Sequence, residues 1–344
     1  MMPTPDFDYS NKTLFGIKNE ASRYTWAGYF LFIIISSLLG DSAILIASVK
    51  YKAFKLHKVL IVIIKHIAVC DLMVTATDIL PKLVSIISTE WVFGTFLCYL
   101  TLYARYYFDL ASILLICAMT TSKLVILKYP LRSGSMTSKR THLVCVACWL
   151  VALTDPVMGL FVDWHDIYFS YRGYQCDYGY SSATWLWLKP FIALAFGVLP
   201  IALVIVTTIH LVAILRANIG DGWGRDKLKR RGIVTTVVTA TVYCISGIPY
   251  MVFRIGESFI SAENKSGSTF HVQFYRLAVS LLVLNTVSNF YIYSLTVPSF
   301  RYFIWSRVQL SYQLFADLSA STNHRGKRIV NIRVDFQMIV RWQY

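Results

Sequence analysis

Arg105, Asp109 and Ser112 interrupt an otherwise apolar stretch, and their i, i+4, i+7 spacing puts them on one helix face. A guanidinium one turn above a carboxylate holds an anionic ligand, or else pairs with that carboxylate or with Asp78 across a gap. A second stripe, Asn285, Asn289 and Tyr293, repeats at i, i+4 and i+8. Asp71 and Asp78 stand one heptad apart, and Asp41 breaks a further apolar run. No His/Asp set has the adjacent-turn spacing of a metal-ligand cluster, and the seven His are scattered along the chain. An intramembrane enzyme is therefore not indicated.

The elements that must carry these residues follow from composition. Of 344 residues, 56% are hydrophobic, only 15% are Asp, Glu, Lys or Arg, and mean hydropathy is +0.55. Soluble chains carry roughly 25% charged residues, and no single soluble core hides this much apolar surface. Aromatics at 15% exclude disorder. The class that remains is an all-α polytopic membrane protein. Apolar windows predict seven spans: Trp26–Val49, Val59–Leu83, Phe96–Leu127, His142–Val162, Leu186–Leu215, Ile233–Phe253 and Val272–Leu295. Charges at membrane depth are costly, so they default to a functional reading. These stripes must face one another or water, which gives a polar interior.

The net charge of +15 is a topology signal rather than a nucleic-acid footprint. Segments between alternate spans, with the tail, hold 22 basic and 4 acidic residues, against 9 and 9 on the other side. That bias predicts an extracellular N-terminus and a cytosolic tail. Both Asn-X-Ser/Thr sequons, at Asn11 and Asn264, fall on the side read as extracellular. Met1–Ser10 lacks a basic and apolar leader pattern, so the first span is expected to act as its own insertion signal. Five cysteines fall inside spans. Only Cys98 and Cys176 reach the oxidising face, where they form one disulfide or remain two free thiols, the disulfide being the simpler reading.

In sum the chain resembles a rhodopsin-like (class A) G-protein-coupled receptor from about Trp26 to Phe303. The landmarks run in order: Gly40-Asp41 against the family's Gly-Asn, Ile67-Ala68-Val69-Cys70-Asp71 against Leu-Ala-x-x-Asp, and Trp91-Val92-Phe93-Gly94 ahead of Cys98. Cys176 matches the partner cysteine, and Lys128-Tyr129-Pro130-Leu131 the second intracellular loop. Trp149, Pro200 and Pro249 mark spans four, five and six. Asn289-Phe290-Tyr291-Ile292-Tyr293 is similar to Asn-Pro-x-x-Tyr, and Phe300-Arg301 to the start of a short eighth helix. The resemblance implies an extracellular ligand and a heterotrimeric G protein as partners, with Ser122, Lys123, Pro130, Asn289 and Tyr293 at the activation end. It also implies the plasma membrane as the location, with no nucleic acid and no enzyme activity.

Departures from the family pattern bear on function. Ser122-Lys123-Leu124 replaces Asp-Arg-Tyr, so the charge stays but the planar guanidinium fork is lost. Span six reads Ser246-Gly247-Ile248-Pro249 without the family's tryptophan, Phe290 replaces a proline and Thr208 a frequent tyrosine. Such losses leave weak, constitutive and absent coupling as alternatives. By the same resemblance Asp71, Ser112, Asn285 and Asn289 match a mid-bundle Na⁺ site. Asp41 replaces an Asn there and is expected to approach Asp71. Two buried carboxylates do not both ionise cheaply, so the pair shares a proton or binds a cation, or Asp41 is simply protonated and hydrogen-bonded.

Arg105 stands where amine receptors carry aspartate, which argues against a biogenic amine. Arg105, Arg254 and Arg276 suit a carboxylate or phosphate, with Asp78, Asp109 and Tyr106 completing the expected pocket. The domain reading is an extracellular segment 1–25, a bundle 26–296, an interfacial helix 297–308 and a cytoplasmic tail 309–344. The basic run Arg225–Arg231 serves a G protein or anionic lipid. A receptor-like decoy or heteromer partner is the main alternative to a signalling receptor. A channel or transporter is a weaker one, since no inverted repeat is visible.

Overall fold

A computed structural model describes residues 20–50, 58–129, 136–154, 156–157, 167–170, 173–178, 191, 194–217, 227–259 and 269–323. Asn11, Asn264, Pro130, Arg225 and the far end of span four lie outside the described residues. The chain divides into two units, up to Arg301 and from Tyr302 onward. The first is a helix bundle.

Helix α1 covers Glu20–Lys50. Span two consists of α2 (Lys58–Val74), a π-helical turn (Thr75–Ile79) and α3 (Leu80–Ser88). Then come α4 (Gly94–Lys128) and α5 (Ser138–Ala152). Strands β1 (Ile167–Ser170) and β2 (Gln175–Tyr178) form an antiparallel hairpin in which Phe169 faces Cys176. A second π turn (Leu194–Val198) leads into α6 (Leu199–Ala217), followed by α7 (Lys227–Phe259) and α8 (Thr269–Thr296). Helix α9 starts at Pro298 and runs to Asn323.

Both π turns sit just before a proline, Pro81 and Pro200. Proline lacks the N–H for the i→i−4 bond and its ring collides with that carbonyl, so a widened turn is a common accommodation. Entry to α4 has a different local cause. Gly94 adopts φ +75°, a conformation glycine reaches without Cβ strain, and the Trp91 indole donates to its carbonyl at 2.7 Å. The Trp-Val-Phe-Gly segment is thus a helix-entry device.

Among the described residues, six helical stretches are long and apolar enough to cross a membrane, and the described part of α5 is too short to qualify alone. Their outward faces carry Leu31, Phe32, Ile35, Leu38 and Leu39 on α1, and Leu199, Leu203, Val206 and Ile209 on α6. Asp41, Asp71, Ser112, Asn285 and Asn289 are buried instead. An apolar outside around a polar inside is the arrangement lipid favours. Helix α4 is central, packing on α2, α5, α6, α7 and the hairpin, while α8 joins α7 and α1 to close the bundle.

The hairpin is tied to α4 by the Cys98–Cys176 disulfide, Cα–Cα 5.5 Å. Cys98, Leu102 and Cys176 form a buried knot with Trp91 and Phe169 packed against it. The in-span cysteines Cys70, Cys117, Cys145, Cys148 and Cys244 are free thiols.

Candidate functional site

A cavity opens between span two, α4, the hairpin, α7 and α8, with about 540 Å³ of space between atoms when its solvent-open mouth is included. Its wall joins residues the sequence reading assigned to two separate sites. Arg105, Asp109 and Asp78 from the expected ligand pocket line it with Asp71, Ser112 and Asn285 from the expected ion site. Gln175, Tyr243 and Tyr250 add polar groups.

Lys82, only 2% exposed, is a wall residue the sequence reading missed. Its ammonium lies 2.5 Å from Asp78 Oδ2. The i, i+4 spacing of Asp78 and Lys82 was the available signal, but Lys82 falls at the predicted end of span two and was counted with the loop. The pair also changes the expectation for Arg105. The ion pair it makes is with Asp177 Oδ1 at 3.7 Å, not with Asp109 or Asp78, and its Nη2 donates to the Cys176 carbonyl at 3.3 Å. The cause is tertiary. The disulfide lays β2 beside α4 and delivers Asp177, while Asp78 is held by Lys82.

Arg105 Nε is buried without a hydrogen-bond partner, and so is Gln175 Oε1 on the same wall. Native interiors leave few such atoms unmet. Arg254 donates to Tyr106 Oη at 2.8 Å, and the Arg105 and Arg254 guanidiniums stand 5.1 and 5.6 Å from the Tyr106 ring centre. Arg276 does not join them. It lines a second cavity, its guanidinium 5.8 Å from the Tyr174 ring. Burial pushes the Tyr174 phenol above its ordinary range, so that ring stays neutral as the cation's partner at physiological pH.

Deeper in the bundle, Asn289 Nδ2 donates to Asp71 Oδ2 at 2.7 Å, and Ser37 donates to Asp41 Oδ2 at 2.8 Å. The Thr75 hydroxyl lies 2.7 Å from Ser37 Oγ and 2.8 Å from the Asp71 carbonyl, bridging the two acids' neighbourhoods. Each carboxylate thus has its own neutral donor. Asp71 is on the cavity wall and Asp41 is not. Asp41 Oδ1 and Asn289 Oδ1 are buried without partners. With Asp71, Ser112 and Asn285 this is a set of oxygen donors, the kind a hard cation takes.

At the opposite end of α4, Ser122 and Lys123 are buried. The Lys123 ammonium rests against the backbone of α7 at Gly232, where a Cβ would stand 2.6 Å from Nζ. Thr207 donates to Thr120 at 3.0 Å, linking α6 to α4, and Tyr293 is buried with its ring end beside Thr239. Gly40 lies against Phe290, the residue in the family's proline position, and a Cβ there would stand 2.7 Å from Phe290 Cβ.

Comparison with known proteins agrees with this architecture. The family described as "7 transmembrane receptor (rhodopsin family)" matches residues 40–293. The chain is 23% identical over 251 residues to cysteinyl leukotriene receptor 1 of Mus musculus, covering 71% of this chain and 69% of that one. It is equally identical over 253 residues to the Cavia porcellus receptor of that name, covering 71% and 72%. Octopamine receptor beta-2R of Chilo suppressalis is 27% identical over 190 residues, 49% of this chain and 47% of that one. A helix bundle with apolar outer faces, the α4–hairpin disulfide and a family match over most of its length together place this chain in the rhodopsin family of seven-transmembrane receptors.

Proposed function

We propose that the protein is a plasma-membrane receptor, N-terminus outside, that passes the binding of an extracellular anionic ligand to a heterotrimeric G protein. The observation that carries the ligand class is Arg105, buried on the cavity wall with its Nε unmet. A carboxylate or phosphate oxygen satisfies that donor with a charge-assisted bond. A biogenic amine is disfavoured because the same wall position carries a cation. Asp71, Ser112, Asn285 and Asn289 supply the oxygen set for a Na⁺ ion below the ligand, and Asp41 tunes that set through Ser37 and Thr75.

Lys123 takes the place of the family's arginine at the G-protein end. A specific observation favours a second reading, a receptor-like partner that does not couple. Lys123 lacks the planar fork, and its ammonium is packed against Gly232.

The test is G-protein dissociation in cells, basal and with a panel of carboxylate and phosphate ligands, at matched surface expression. The coupled reading expects a signal that falls in Lys123→Ala and survives in Lys123→Arg. Silence across all G-protein families in both the native chain and Lys123→Arg would favour the non-coupling reading. In the same assay Asp41→Asn is expected to change the Na⁺ and pH response of the signal. An unchanged response would remove Asp41 from the ion site.

A further inference from the structure

The second cavity, open to the outside and holding about 280 Å³ of space between atoms with its solvent-open mouth included, lies between α1, α8 and the hairpin turn, and nothing in the ligand reading above uses it. Trp26 and Phe30 of α1 form one side, Tyr275, Arg276 and Ser280 of α8 the other, with Gly173 and Tyr174 above. It is partitioned from the main cavity. Val279 lines both, and Gln175 Nε2 donates to Tyr275 Oη at 2.6 Å, holding that ring in the wall. The fit is close enough that a Cβ at Gly173 would stand 2.9 Å from Tyr275 Cε1. Below, the Tyr29 hydroxyl donates to the Ser280 carbonyl at 2.6 Å and pins α1 to α8.

The two cavities differ in charge. Three carboxylates line the main one beside its two cations. Among the described residues lining the second there is Arg276 and no acid. Arg23 also acts electrostatically on Tyr174 at this site, and its Nε is buried without a hydrogen-bond partner. Positive potential over aromatic walls selects an oxyanion joined to an apolar body.

We infer that this cavity binds an anionic amphiphile, its oxyanion at Arg276 and its apolar portion against Trp26 and Phe30. Arg276 is thereby assigned to a site distinct from that of Arg105. The occupant comes either from the bilayer or from solution, and the site does not depend on G-protein coupling.

The test uses the full chain in phosphatidylcholine nanodiscs. One arm loads the bilayer with a long-chain fatty acid carrying a diazirine. A second adds 4-benzoylbenzoate from the aqueous phase, and a matched diazirine fatty alcohol is the uncharged control. After illumination, adducts are expected within 26–30 or 275–280 in at least one acid arm, and which arm labels identifies the source. Loss of a charge-assisted contact is expected to lower that labelling about ten-fold in Arg276→Gln, while Arg276→Lys and Arg105→Gln retain it. If Arg276→Gln does not fold, by its thermal midpoint, competition in the unaltered chain decides, with the unlabelled acid suppressing adducts and the alcohol leaving them. Equal labelling by acid and alcohol, adducts elsewhere, no adducts in either acid arm, or indifference to Arg276→Gln would each overturn the proposal.

Discussion

At Lys123 a single substitution from the family pattern has a visible structural counterpart. The ammonium lies where a Cβ at Gly232 would be, 2.6 Å away, so the glycine on α7 makes the room the lysine occupies. Gly232→Ala therefore displaces the amine, and because that amine ends a flexible side chain the cost is small. Alanine's better helix propensity, about 1 kcal/mol, offsets it. The expected result is a thermal midpoint close to that of the native chain with a changed basal G-protein signal, read beside Lys123→Ala. A native-like signal would mean that the Lys123–Gly232 contact has no part in the resting state. The residue types at Arg105, Asp71, Ser112 and Asn285 were legible in the sequence, because polar groups at membrane depth stand out against apolar neighbours. Lys82 was not, since a charge near a predicted span end reads as loop until the helix is seen to continue through it to Ser88.

Among elements, the pairing of α1 with α8 shows how the bundle absorbs Phe290, which takes the place of a proline. Phe290 presses on Gly40 of α1 and its ring lies 6.0 Å from that of Phe300. In Gly40→Ala the new methyl would meet Phe290 Cβ at 2.7 Å and Cγ at 2.8 Å, atoms tied closely to the backbone. The helices must then separate, and overpacking of this kind costs roughly 1–3 kcal/mol. A lowered thermal midpoint in detergent is expected, with much of the loss recovered when Phe290→Ala is added. Strictly additive losses would show that the two residues do not press on each other. The π turns before Pro81 and Pro200 belong to this scale too. A proline in an apolar run announces a disturbance of the helix, but which way the helix accommodates it depends on the neighbouring helices that meet the freed carbonyls.

For the molecule as a whole, the charge asymmetry between the two sets of connecting segments carries a prediction about topology. In intact cells an antibody is expected to reach a tag at the N-terminus, while one at the C-terminus needs permeabilisation. Asn11→Gln and Asn264→Gln are each expected to remove a glycosidase-sensitive mass shift. A reversed antibody pattern would refute the orientation. Sequence by itself determined the membrane class and made a Cys98–Cys176 disulfide the simpler of two readings, because hydrophobic length and redox compartment are local properties of the chain. Tertiary structure decided the partners. Arg105 goes to Asp177, Asp78 to Lys82, Asp71 to Asn289 and Arg276 to a separate cavity. Helical spacing fixes which face a side chain occupies, whereas the charge it meets depends on which other helix or strand is folded against that face, and here the disulfide-held hairpin supplied a carboxylate 72 residues away from Arg105 in sequence.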